Sequence, residues 1–134
     1  MTVHRLDTHP LHLGLKATAV VEPELGGGAA WYDAYVARHE GDGLEGRLVA
    51  MWTFDAPWTM WEMHPHGHEV VLCTSGVMTL IQEAPDGSRR SFELRAGEYA
   101  INPPNVWHTA DLEGVASTVF ITPGVDTQHR PRER

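Results

Sequence analysis

The sequence predicts an all-β domain of sandwich or barrel type, and three observations carry that prediction. Short apolar or alternating segments dominate from residue 46 to 122. Turn residues interrupt them every eight to twelve positions, the spacing of strand-to-strand connections in all-β folds. Two of the breaks cannot be strand interior: "PDG" at 85–87 favours the positive φ of a tight turn, and "NPP" at 102–104 lacks two ladder donors.

Taken in order, residues 1–14 are polar with scattered His and Pro and read as an arm. "KATAVV" (16–21) reads as a first strand, and Pro23 with the run Gly26–Gly28 breaks it. "WYDAYVARHE" (31–40) fits two periods. Trp31, Ala34, Tyr35 and Arg38 have helical spacing, while Tyr32, Ala34 and Val36 alternate, so both assignments stay open. Strands follow at 46–55, 59–63, 69–75, 77–84, 89–95, 98–101, 106–112 and 115–122. The segment 123–134 is polar and basic and is expected to fray. The organisation is therefore an N-terminal region (1–45) with an arm and first strands, packing on the barrel or a partner, then a barrel (46–122) and a tail (123–134).

Bulk properties bound the function. At 134 residues, one domain can bury a core without disulfides or a metal as staple. A net charge of -8 repels phosphates at long range, which argues against nucleic acid and anionic membrane as partners. Cys73 is the single cysteine, so no internal disulfide can form. The first residues contain no apolar block of signal-peptide type, and no apolar run is long enough to cross a bilayer. The expected location is the cytoplasm. No phosphate-binding loop or nucleotide fingerprint is present.

Chemistry concentrates in "EMHPHGHE", residues 62–69, which holds three histidines and two glutamates. Side chains two apart on a strand share a face, so Glu62 and His64 point the same way. Glu69 has the opposite parity and joins that face only if the Pro65–His68 turn resets the register. Beyond it, six residues separate Glu69 from Gly76. Further on, Gly97, Pro103 and His108 form a second spaced set.

This pattern resembles the two motifs of the cupin superfamily, G(X)5HXH(X)3,4E(X)6G and G(X)5PXG(X)2H(X)3N, over roughly residues 46–122. Two registers fit the first motif. If His64 and His66 are the HXH pair, only two residues lead to Glu69, one fewer than the pattern has. If His64 is the second histidine, four residues lead to Glu69, Glu62 takes the first histidine slot and Ala56 the leading glycine slot. The second register is preferred. In the second motif Asn105 stands for Gly and Leu112 for Asn.

The resemblance implies a small jelly-roll β-barrel with little helix, and a homodimer. It also implies a divalent metal held by His64, Glu69 and His108, with Glu62 or His66 as fourth ligand. Imidazole and carboxylate together suit Zn, Fe, Mn or Ni. The expected function is binding of that metal and of a small organic ligand or substrate, as an oxygenase or isomerase. The alternative is a non-catalytic or metal-free binding module, which the glutamate in the first histidine slot favours. Cys73 shares parity with Glu69 and reads as a small buried hydrophobe. Trp61 reads as an outward residue available to a dimer interface.

Overall fold

The computed structural model describes residues 2–133. Eleven strands and one α-helix follow in chain order: β1 (Leu11–Leu13), β2 (Ala19–Val21), α1 (Ala29–Arg38), β3 (Arg47–Phe54), β4 (Met60–Met63), β5 (Glu69–Ser75), β6 (Val77–Glu83), β7 (Arg89–Arg95), β8 (Tyr99–Asn102), β9 (Trp107–Leu112), β10 (Ala116–Thr122) and β11 (Gln128–Pro131). Two antiparallel sheets result, β2-β1-β3-β10-β5-β8 and β11-β4-β9-β6-β7. They face each other as a jelly-roll sandwich and do not close into one continuous barrel.

Alternation makes the core. In β5, Glu69, Val71 and Cys73 are buried while Val70 and Leu72 between them are only partly so. Val71, Cys73 and Phe120 from the first sheet meet Met78, Leu80, Leu94 and Ala110 from the second. Each large apolar side chain taken out of water there contributes about 1.5–3 kcal/mol. Cys73 is fully buried in this cluster, as a small hydrophobe would be.

Turn chemistry fixes the register. The β5–β6 hairpin turns at Gly76, whose φ is +73°, and a Cβ there would lie 2.1 Å from the Val115 carbonyl oxygen. Only glycine fits both constraints. At the β6–β7 hairpin the Asp86 carboxylate accepts from the Ser88 N–H and hydroxyl, at 2.9 and 2.6 Å.

Residues 29–38 are helical, which resolves the double periodicity of that stretch. Packing decides it. Tyr35 is buried against Leu48 and Ala50 of β3, a contact that only one helical face offers. A polar latch holds the helix down. Tyr35 Oη lies 2.6 Å from His12 Nδ1, and His12 Nε2 lies 2.6 Å from Asp42 Oδ2. Stacked on His12, with ring centroids 3.6 Å apart, His39 reaches Glu22 at 2.8 Å. The N-terminal hairpin thus packs on this chain's own sheet, with β1 paired to β3.

The tail departs from expectation. Residues 128–131 do not fray but pair with β4, His129 opposite Glu62 and Arg130 opposite Trp61. Their polarity misled the sequence reading, because the charged groups lie over rings. The Arg130 guanidinium sits 5.1 Å from the Trp61 centroid and 4.7 Å from that of Trp107. It also donates to Glu83 at 2.7 Å. Trp61, expected to face a dimer interface, is 3% exposed because Arg89 and Arg130 cover it within the chain. Among the described residues, no helix is long and apolar enough to cross a membrane.

Candidate metal centre

Strand register brings the site together. Glu62 on β4 stands directly opposite His108 on β9, and Glu69 on β5 opposite Asn102 on β8. His64 follows the end of β4, and the turn at 65–68 changes parity so that Glu69 enters from the facing sheet. His64, Glu69 and His108 are all buried, while Glu62 is half-buried and opens onto a cavity.

The distances are short. His64 Nε2 lies 3.0 Å from Glu69 Oε2. His108 Nε2 lies 3.2 Å from Glu69 Oε1 and 3.8 Å from Glu62 Oε2. Yet neither Nε2 atom makes an aligned hydrogen bond, and the Nδ1 of His108 is also buried without a partner. Buried polar atoms are rarely left this way. Donors held about 2 Å from one ion lie about 3–4 Å from each other, which is the spacing seen here. Glu62, His64 and His108 each offer a ligand atom within 4.8 Å of the other two.

The surroundings prepare these groups. Thr127 Oγ1 donates to the Gly124 carbonyl at 3.3 Å and lies 2.9 Å from His64 Nδ1. With Thr127 accepting from Nδ1–H, Nε2 is the ring nitrogen that faces Glu69. Glu69 accepts from Asn102 Nδ2 at 3.0 Å and from Thr122 Oγ1 at 2.6 Å. Gln82 in turn donates to Asn102 Oδ1 at 2.9 Å.

Electrostatics follow from this packing. Burial would raise the Glu69 carboxyl, but His108 and His64 outweigh it and hold it below the usual carboxylate range. Burial opposes ionisation of Glu62 too, and His108 and His129 bring it down to about 2. His108 is disfavoured as a cation by burial, but Glu62 and Glu69 lift it to about 9. The two carboxylates thus favour positive charge at His108.

Of the five residues that the sequence proposes as ligands, Glu62, His64, Glu69 and His108 converge. His66 does not join them: its Nε2 lies 2.7 Å from Asp126 Oδ2, on the exposed turn. Four supporting residues escaped the sequence reading: Asn102, Thr122, Thr127 and His129, the last 3.2 Å from Glu62 Oε1. Their roles come from cross-strand register, which no local motif displays.

A cavity of about 870 Å³ opens beside the cluster, lined by α1, β3, the loop before β4 and the segment before β11. Its apolar wall is aromatic. Phe54, Trp58 and Phe120 form a ring cluster with centroids 5.4 to 6.1 Å apart, and Trp58 meets His108 edge-on at 6.3 Å.

The architecture agrees with known structures. An oxalate oxidase superposes with a TM-score of 0.57 at 20% identity, over 69% of this chain and 50% of that one. Hydroquinone 1,2-dioxygenase from Sphingomonas sp. TTNP3 gives 0.51 at 15% identity, over 57% and 58% of the two chains. A cupin-2 domain protein from Shewanella frigidimarina gives 0.46 at 17% identity, over 64% and 71%. The chain spans only half the length of the oxalate oxidase. No family model matches the sequence, and no curated protein matches it. The likeness is one of fold, shared with the oxalate oxidase and the hydroquinone dioxygenase.

Proposed function

We propose that this protein binds one divalent metal ion through Glu62, His64, Glu69 and His108, and a small organic ligand in the adjoining cavity. The observation behind this reading is the pair of buried Nε2 atoms that converge on two carboxylates without hydrogen-bonding to them. The donor set, two imidazoles and two carboxylates, suits Zn, Fe, Mn or Ni. Such an ion, when bound, supplies a Lewis acid with open positions for an oxygen-bearing ligand.

The chain's own residues do the rest. Thr127 fixes the tautomer of His64, and Asn102 and Thr122 orient Glu69. His129, hydrogen-bonded to Glu62 at the cavity edge, can hold or deliver a proton there. Burial keeps water from the inner face of the cluster. An oxygenase or isomerase acting on a small organic molecule is the activity we favour. The names of two proteins of this fold, an oxidase and a dioxygenase, lean toward the former.

One observation favours a second reading, a metal-free binding module. Glu69 is already satisfied by Asn102 and Thr122, and with His108 protonated the cluster is a self-contained ion-pair network. Elemental analysis of protein purified without a polyhistidine tag separates the two. About one transition metal per chain, lost in His108→Ala, supports the metal centre. Metal below a tenth of an equivalent after reconstitution with each of the four ions, in folded protein, refutes it.

A further inference from the structure

We infer that the ligand of this cavity is an uncharged ring compound with an oxygen donor at one end, of the phenol class, and not a small dicarboxylate or phosphate. The inference rests on the cavity being the ligand site, as proposed above, and adds the chemical class.

Charge is the first argument. Among the described residues, no lysine or arginine lines the cavity, whereas Asp33, Glu62, Glu69 and Asp126 do. A divalent ion would neutralise Glu62 and Glu69 only. Asp33 would remain, as would Asp126, which is shared with His66. A dianion would meet these two carboxylates, with His129 beside Glu62 as the cationic group the lining offers, and would find no guanidinium fork to receive it.

Shape and surface are the second argument. Cavities of about 300–1,000 Å³ hold ligands of drug size, and this one falls in that range at about 870 Å³. A two-carbon diacid would leave most of it unfilled. Trp52, Phe54, Trp58 and Phe120 present ring surface on one wall, and flat aromatic ligands gain from offset or edge contacts with such rings. The same cavity is lined by His64, Glu62 and Glu69 of the cluster. A ligand that is apolar along its body and carries oxygen at its tip matches both kinds of lining. Trp58 meets His108 edge-on, so the aromatic lining reaches the cluster and a ring lying on it can bring its substituent there.

Calorimetric titration of the full chain with 2-naphthol and with oxalate tests this, in metal-reconstituted and in chelator-stripped protein. The expected result is 2-naphthol binding at least ten-fold tighter than oxalate. Trp52→Leu and Phe54→Leu, each keeping an apolar side chain but removing a ring, should each weaken 2-naphthol at least three-fold. Asp33→Lys, at the exposed rim, should strengthen oxalate several-fold. Oxalate binding as tightly as 2-naphthol would overturn the assignment, as would indifference of 2-naphthol to both ring removals, or no 2-naphthol binding by folded protein. The two readings fail separately. Naphthol binding by protein that takes up no metal keeps the ligand class and removes the metal centre. Stoichiometric metal with an oxalate preference does the reverse.

Discussion

Among the described residues two histidine–carboxylate clusters stand out, and they differ in how fully their polar groups are paired. In the N-terminal latch, His12 places both ring nitrogens against partners, Tyr35 and Asp42, and His39 reaches Glu22. In the second cluster, His64 and His108 leave buried ring nitrogens without aligned partners beside two carboxylates. Both groups bring metal-ligating residue types close together. What separates them is hydrogen-bond satisfaction: the latch spends its polar groups on each other, and the second cluster holds some in reserve. Residue type and proximity alone would have ranked them equally.

The comparison can be broken most directly with His108→Ala. Second-sphere changes already cost metal affinity about 10–100-fold. Loss of a ligand should therefore exceed 100-fold, read by competition with a colorimetric chelator, while His12→Ala leaves metal content unchanged. Equal metal loss in the two variants would erase the distinction. His12→Ala should act on folding instead. It leaves the Tyr35 hydroxyl and the Asp42 carboxylate without their partner, for a loss of about 2–4 kcal/mol in denaturant unfolding. A smaller effect is expected for Thr127→Val, which removes the acceptor that sets the His64 tautomer. Metal affinity should fall about ten-fold with little change in unfolding midpoint of the stripped protein.

The smallest effect is on pH dependence in the metal-stripped protein. The folded-state value of His108 is raised from 6.5 to about 9, so its contribution is whole below pH 6.5 and fades as pH rises through 9. That of Glu62 is lowered from 4.5 to about 2, so its contribution is whole above pH 4.5 and fades as pH falls toward 2. The melting temperature of stripped protein should therefore peak between pH 4.5 and 6.5. Metal and proton compete for His108, so reconstituted protein should instead gain stability as pH rises from 5 to 8. Differential scanning calorimetry across that range reads both.

How much of this was legible in the sequence differs between the same two regions. The strands from β5 to β10 announced themselves through alternation and turn residues such as Asp86 and Gly87. The four converging residues were marked by spacing, because each sits at a strand end where a motif fixes its position. The latch was not legible. Helix α1 satisfied two periods at once, and its choice depends on Tyr35 meeting β3 and His12, more than ten residues away in either direction. β11 was hidden for the opposite reason. Arginines that look like solvated tail residues serve here as covers for Trp61 and Trp107. Asn102 and Thr122 were invisible because only the pairing of β5 with β8 and β10 brings them to Glu69.

The place of β11 in the chain has a consequence for biogenesis. It follows all four proposed metal ligands in chain order, yet it brings His129 to Glu62 and roofs Trp61 of β4. A ribosome-bound chain that has emerged only as far as β10 has every proposed metal ligand but an unfinished wall. Maturation of the proposed centre should then wait for β11 to dock on β4.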